Sequence, residues 1–357
     1  MKAMIMAAGV GSRLMPLTGE IPKPLMPVAN RPLLENTIKL LKKHGFDQLI
    51  CNLHHRAGLI LEHLHSDQYR DISLNYSLEE ELLGTAGGVK NCEGFLDETF
   101  VVISGDALTD LDLSYLLAQH QAKGALATIA LKAEEQVEQF GVVQIDEQGK
   151  ILRFQEKPKA SEAISNLANT GIYVFETEIF EYIPANQFYD FGQQLFPFLV
   201  KSKAPFYGVP IAGYWCDVGN LATYRQANED VLEKKVRAEM RGTLSSSEDG
   251  GLVLIDEGVK LGPEVRFSGN VVIGRGCRLE ADASVSNSVI WEGTVIEKGA
   301  VLQQAIAGSD CHIGAHSIIR PGAVIASGCI LEPGSDIAPG AKIFKPPGGA
   351  LGRGEPG

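Results

Sequence analysis

Hydrophobic positions along the 357-residue chain follow two rhythms, one before about residue 241 and another after it. In the first part, short apolar runs alternate with amphipathic stretches. Residues 3–8 form an apolar run that suits a buried strand. Residues 33–44 place Leu33, Leu34, Thr37, Ile38 and Leu41 near helical spacing, and Gly45 stops them. Residues 48–53, 72–76 and 99–104 read as further strands, and 113–123 as a helix closed by Gly124. Strands are also predicted at 206–210 and 215–218, with a closing helix at 222–236. This βαβα order predicts an α/β domain whose mostly parallel sheet carries helices on both faces.

Residues 242–251 read Gly-Thr-Leu-Ser-Ser-Ser-Glu-Asp-Gly-Gly, a linker composition. Over residues 252–344 an aliphatic residue then recurs every six positions: Ile255, Leu261, Phe267, Ile273, Leu279, Val285. A five-residue step leads to Ile290, Ile296 and Leu302, and another to Ala307, Ile313, Ile319, Ile325, Leu331, Ile337 and Ile343. Four residues after each comes a second position expected to turn inward, usually smaller, such as Cys277, Ala283, Val289 or Ala300; in this set only Ile306 is large. A period of six fits no α-helix and no lone hairpin. It fits a parallel β-helix of hexapeptides, with Pro321-Gly322, Pro333-Gly334 and Pro339-Gly340 at corners that suit type II turns. Residues 345–357, rich in Gly and Pro, read as a disordered tail.

Composition changes the picture in three places. Glycine numbers 39, about 11% against roughly 7% on average. Eighteen glycines precede residue 242 and 21 lie from Gly242 onward, so the excess belongs to corners, linker and tail. The net charge of −12 argues against a nucleic-acid binder, and no apolar run has the ~18 to 20 residues of a membrane span. Residues 1–8 start like a signal peptide, but Gly9-Val10-Gly11 ends the apolar run and Arg13 follows at once. Six scattered cysteines form neither a disulfide framework nor a zinc module, which fits a reducing cytoplasm.

The candidate chemistry begins after the first strand, at Ala7-Ala8-Gly9-Val10-Gly11-Ser12-Arg13-Leu14. A glycine-rich turn there lets backbone N–H groups approach a phosphate. The dinucleotide pattern GxGxxG fails at Leu14, and the GK[ST] of a P-loop is absent. What remains is GxGxR followed by Pro22-Lys23-Pro24-Leu25, two positive charges on one long loop, as a triphosphate requires. His54-His55 looks like a metal pair but has no third ligand spaced nearby, and reads as loop.

GVGSRLMPLT, PKPLMPV and NRPL resemble the signature of the sugar-1-phosphate nucleotidyltransferases, and the similarity runs along nearly the whole chain. EELLGTAG from Glu80, Ser104-Gly105-Asp106, Phe140-Gly141, Glu156-Lys157-Pro158, Asn169-Thr170-Gly171 and Tyr214-Trp215-Cys216-Asp217-Val218-Gly219 resemble further family motifs. Ser12, Thr170 and Ala107 depart from the usual residues without removing a charge. The resemblance implies a Rossmann-like catalytic domain over 1–241 and a left-handed sense for the β-helix. It implies in-line attack of a sugar-1-phosphate on the α-phosphate of a nucleoside triphosphate, with pyrophosphate leaving.

The site residues follow by motif. Asp106 and Asp217 would hold Mg²⁺, a cation suited to one or two carboxylates plus phosphate oxygens. Arg13 would bind the phosphates and Lys23 the transition-state phosphate. Ala7, Gly9, Gly11, Ser12, Glu80, Gly84 and Thr85 would bind the nucleotide, and Gly141, Glu156, Lys157 and Asn169 the sugar phosphate. Within the family, LGTAG and GYWCDVGN look most like mannose-1-phosphate guanylyltransferases, ahead of glucose-1-phosphate thymidylyl- or uridylyltransferases.

Two other classes stand beside this. A hexapeptide acyltransferase would use His312 or His316 as base, but no long loop is available for an acyl-donor groove. A non-catalytic subunit should have lost Arg13, Lys23 or an aspartate, and all are present. The β-helix is expected to make the protein a homo-oligomer, with its sheet edges as contact surfaces.

Overall fold

A computed structural model of the chain describes residues 1–66 and 69–345. Of the tail expected over 345–357, residues 346–357 lie outside the described residues. The described residues form two compact units, Met1–Val10 with Leu34–Asp217, and Gly11–Leu33 with the described residues from Val218 on. This division does not follow the change of composition near residue 242.

The first unit is built on one nine-stranded mixed sheet and a separate two-stranded one. The strands of the unit are β1 (Lys2–Met6), β2 (Gln48–Leu53), β3 (Ser73–Leu78), β4 (Phe100–Ser104), β5 (Ala107–Thr109), β6 (Ala127–Ala133), β7 (Gly141–Ile145), β8 (Ile151–Glu156), β9 (Leu167–Phe175), β10 (Phe206–Pro210) and β11 (Trp215–Asp217), and β5 with β11 make the two-stranded sheet. β3, β2, β1 and β4 pair in parallel, in that order. Ala3, Met4, Ile5, Val101, Val102 and Ile103 are all buried, so both faces of the central strands are covered, as the continuous apolar runs require. β9 enters antiparallel between β4 and β6, and β10 runs parallel beside β6. One core layer joins Met4, Val102, Tyr173 and Phe175 to Phe191 and Phe196.

Helices α1 (Leu33–Lys43), α2 (Ala57–Leu64), α3 (Gly84–Lys90), α4 (Leu113–Ala122) and α5 (Phe196–Lys201) intervene, and α6 (Leu221–Leu232) opens the later part of the second unit. α4 starts where Asp112 accepts from the Tyr115 N–H at 2.9 Å. In α6, Asn220 and Thr223 form a reciprocal capping box.

The hexad residues of the second unit stack as the period requires. Ile255, Ile273, Ile290, Ala307, Ile325 and Ile343 are successive partners on one parallel sheet. Leu261, Leu279, Ile296, Ile313 and Leu331 line a second, and Phe267, Val285, Leu302, Ile319 and Ile337 a third. Gly322, Gly334 and Gly340 sit at the corners with φ of 81°, 74° and 70°, a conformation glycine adopts without cost.

The two five-residue steps fall at one corner of consecutive coils and reverse the inward parity there. Ser288 and Ala305 are fully buried and take the inward places expected of Val289 and Ile306. Val289 pairs with Val272 and Ile306 with Val324 on the outer side of their strands, still buried. A one-residue deletion must do this, because side chains alternate with a period of two. It also explains why Ile306 alone was large.

The segment expected to be a linker is ordered. Thr243–Ser246 pairs antiparallel with Leu252–Ile255, and Asp249 pins the turn by accepting from Ser247 and Ser268 hydroxyls. The first coil strand would otherwise present an unpaired edge.

Candidate active site

The first unit carries its polar groups beyond the carboxyl ends of β1, β2 and β4, where ligands of open α/β sheets lie. The Ala7 N–H donates to Asn52 Oδ1 at 2.8 Å. Asn52 Nδ2 donates to Glu79 Oε1 at 2.7 Å, and the Leu83 N–H to Glu79 Oε2 at 3.1 Å. Glu79 is only 4% exposed, whereas Glu80 lies in the open. Ala7 and Leu83, the residue before Gly84, are thus joined through Asn52 and Glu79, the latter one residue before the glutamate that the motif singled out. Burial at the end of β3 was the missing signal, and an acidic triplet conceals it. Gly88 makes room: a Cβ there would stand 2.6 Å from Glu79 Oε1. His54 Nδ1 meets the Glu79 carbonyl at 2.8 Å, so the histidine is a loop partner as expected.

Asp106 follows β4, and the Ser104 hydroxyl donates to its carboxylate. Asp217 ends β11 opposite Ala107, the residue that follows Asp106. Tyr214 is fastened to the same pair, its N–H donating to Asp110 at 2.7 Å and its carbonyl accepting from Thr109 at 2.8 Å. Among the described residues no group of three or more His, Cys, Asp and Glu side chains could hold a metal. Two carboxylates nonetheless suit an ion that completes its shell with phosphate oxygens and water.

The predicted sugar-phosphate residues come together. Glu156 pairs with Gly141 across β7 and β8, and Val142 pairs with Ala168, beside Asn169. Asn169 Nδ2 donates to the Tyr173 hydroxyl at 3.1 Å and its Oδ1 accepts from the Gly171 N–H at 3.0 Å. Lys157 has φ of 42°, and its Nζ stands 3.7 Å from Glu156 Oε1. Thr170, the departure from the family residue, buries its hydroxyl against the Ala130 carbonyl at 2.8 Å.

Asp190, which no motif indicated, completes this group. It accepts from the Thr85 hydroxyl at 2.9 Å and from the N–H groups of Gly192 and Gln193. Thr85 in turn accepts from the Phe191 N–H at 2.7 Å, so its hydroxyl positions the Asp190 loop. Both Gly141 and Gly192 are needed, since a Cβ would lie 2.9 and 2.3 Å from Glu156 Oε2.

Burial holds the Glu156 carboxyl above its ordinary range; Lys157 opposes this and Asp190 adds to it. The folded protein therefore binds a proton at Glu156 more readily than the unfolded chain. Its ionised form costs stability at neutral pH, and that cost disappears as pH falls below the ordinary glutamate value. Glu156→Gln is expected to raise the Tm at pH 7, with the gain shrinking as pH falls toward about 4.5, the usual glutamate range, and absent below it. Thermal melts between pH 4 and 8 would show it, and a gain independent of pH would contradict it.

In the second unit, Gly11 has φ of 71° and opens the 3-10 turn Ser12–Leu14. Leu14 is buried while Ser12 and Arg13 are exposed. Lys23 starts a second such turn and is 6% exposed. The two motifs touch: a Cβ on Gly11 would lie 3.2 Å from Lys23 Cβ and 3.1 Å from Thr18 Cγ2. The Thr18 hydroxyl donates to the Gly11 carbonyl at 2.9 Å. Of the cysteines, only Cys216 is not buried, and burial raises the Cys51 thiol to about 12 and Cys92 to about 11. These are packing residues.

A nucleotidyl transferase family model matches residues 2–234, and a GMPPB C-terminal domain model matches 250–341. UTP–glucose-1-phosphate uridylyltransferase of Synechocystis sp. is 41% identical over 329 residues, covering 82% of this chain and 83% of that protein. Mannose-1-phosphate guanylyltransferase 1 of Arabidopsis thaliana is 30% identical over 340 residues, covering 88% and 92%. The crystal structure of HddC from Yersinia pseudotuberculosis complexed with GMP-PN superposes with a TM-score of 0.56 at 26% identity, over 64% of this chain and 99% of that one. The chain belongs to the nucleotidyl transferase family, and within it to the sugar-1-phosphate nucleotidyltransferases. No helix among the described residues is long and apolar enough to cross a membrane.

Proposed function

We propose that the protein joins a hexose-1-phosphate to a nucleoside triphosphate, giving a nucleotide-sugar and pyrophosphate. The reading rests on the grouping of Glu156, Lys157 and Asn169 at the junction of β7, β8 and β9. A cation, a carboxylate and an amide on one small surface suit a phosphorylated sugar. Lys157 takes the phosphate, and Glu156 and Asn169 the hydroxyls. The sugar-phosphate oxygen attacks the α-phosphorus while the bond to the departing pyrophosphate breaks. Charge neutralisation and alignment supply the catalysis.

Arg13 neutralises the triphosphate and the leaving pyrophosphate, and Lys23 the phosphate under attack. Backbone at Ala7, Gly9, Gly11 and Ser12 holds the nucleotide, with Gly84, Thr85 and Glu80 toward the base. Asp106 and Asp217 hold Mg²⁺, whose charge lowers the repulsion between the two anionic substrates.

The preferred pair is UTP with glucose-1-phosphate, supported by the Synechocystis relative at 41% identity. GTP with mannose-1-phosphate, the pair its motifs favour, is supported by the Arabidopsis relative and the C-terminal family model. Pyrophosphate release should be measured for five nucleoside triphosphates against glucose-, mannose- and N-acetylglucosamine-1-phosphate. The UTP and glucose-1-phosphate combination is expected to exceed every other by about tenfold in kcat/KM, since base choice rests on a few hydrogen bonds. A maximum at GTP and mannose-1-phosphate would replace that pair, and no turnover anywhere would remove the enzymatic reading.

A further inference from the structure

The segment that carries Arg13 and Lys23 packs with the β-helix in one unit, although sheet strands flank it in sequence. The contact has definite chemistry. Pro27–Val28 and Arg31–Pro32 pair across the two-residue turn Ala29-Asn30. Both turn residues have positive φ, 48° and 64°. Asparagine tolerates this conformation, but alanine does so only under strain, so the surroundings must hold the turn.

The turn is held by side chains and carbonyls of α6 and of residues beyond it. The Ala29 N–H donates to Asn228 Oδ1 at 2.9 Å. Asn30 Nδ2 donates to the carbonyls of Ile273 and Arg241, both at 3.1 Å. The Tyr224 hydroxyl donates to the Pro27 carbonyl at 2.5 Å and accepts from Trp291 Nε1 at 2.7 Å. Asn228 Nδ2 closes the network on the Tyr224 carbonyl at 2.9 Å. Asn30, Tyr224, Asn228 and Trp291 are all buried, so water cannot replace a lost partner.

We infer that the β-helix braces the phosphate loop, with Asn30 and Trp291 as positioning residues. Asn30 ties the loop to the inner coil at Ile273. Trp291 fixes it through Tyr224, whose hydroxyl holds Pro27 four residues after Lys23. Neither side chain acts on substrate; each sets the place of the segment that bears the cationic groups. The β-helix thereby contributes to turnover within a single chain. The inference rests on the roles given above to Arg13 and Lys23.

The test uses the full chain and two readouts, hydrogen exchange of residues 24–33 and steady-state kinetics with the best substrate pair. Asn30→Asp keeps the left-handed turn but turns an acceptor toward two carbonyl oxygens. Trp291→Phe keeps the ring and removes the donor. Asn30→Asp is expected to speed exchange in 24–33 and lower kcat by about tenfold each, the scale of one buried hydrogen bond. KM for the sugar phosphate should hold within about threefold, because that seat lies on other strands. Exchange in the coils at 311–335 should not change. Trp291→Phe should act in the same direction, and add little to Tyr224→Phe, since both work through one hydroxyl.

Unchanged exchange at 24–33 would overturn the brace. Faster exchange with unchanged kcat would overturn the positioning role. Should Asn30→Asp also loosen 311–335, Trp291→Phe decides. A wild-type protein inert toward every substrate pair would defeat the functional reading alone, and the exchange data would still decide the brace.

Discussion

Asp106→Asn is expected to lower kcat by about 10²-fold or more, the loss found when a main electrostatic stabiliser is removed. The substitution is nearly isosteric, and the amide oxygen can still accept the Ser104 hydroxyl that now meets the carboxylate. The backbone around it is fixed independently, by the Gly105 N–H on the Met6 carbonyl at 2.9 Å and by the pairing of β5 with β11. The charge and one acceptor oxygen are lost. The Mg²⁺ concentration for half-maximal rate should therefore rise together with the fall in kcat, while KM for the sugar phosphate changes little. Asp217→Asn should act alike, because the proposed role gives both carboxylates the same cation; Asp217 pairs with Ala107, the residue after Asp106. Unaltered kinetics and Mg²⁺ dependence in both variants would remove the aspartates from the metal role.

Asn52→Leu should cause the largest loss of stability, about 3–5 kcal/mol, the cost of stranding a buried charge without its partner. Asn52 is the middle of a relay. It accepts from the Ala7 N–H and donates to Glu79, itself buried between Asn52 and the Leu83 N–H. Leucine fills the volume but leaves a backbone donor and a carboxylate oxygen unpaired. For a unit of this size the loss corresponds to a Tm fall of roughly 10 °C. Glu80→Gln, next to Glu79 but exposed, should change stability by no more than about 0.5 kcal/mol. Calorimetry of the two variants decides it: equal melting temperatures would mean that the relay contributes nothing.

Both predictions concern residues that differ in how far the sequence reveals them. Asp106 was legible because it follows an apolar strand and stands in a motif. Lys157, Glu156, Asn169 and Gly141 were singled out by family motifs alone, and strand register sets Glu156 opposite Gly141 and Ala168, next to Asn169, opposite Val142. Glu79 and Asp190 were not. An acidic triplet gives no sign of which member turns inward, and Asp190 earns its place through Thr85, 105 residues away. The antiparallel β9, which splits the parallel sheet, was also missed, because its position is set by partners on β4 and β6 rather than by its own period.

The β-helix shows the same division. The six-residue period by itself pointed to a parallel β-helix, since it fits neither a 3.6-residue helix nor a lone hairpin. It also marked the two short steps. Tertiary structure alone decided what those steps do, turning Ser288 and Ala305 inward and Val289 and Ile306 outward. It alone converted the polar stretch at 242–251 into a paired strand, because a sheet edge needs its hydrogen bonds met. And it alone assigned the loop of Arg13 and Lys23 to the β-helix unit. Local periodicity fixes what a segment can form; long-range hydrogen bonds such as Asn30 to Ile273 fix which part of the molecule it belongs to.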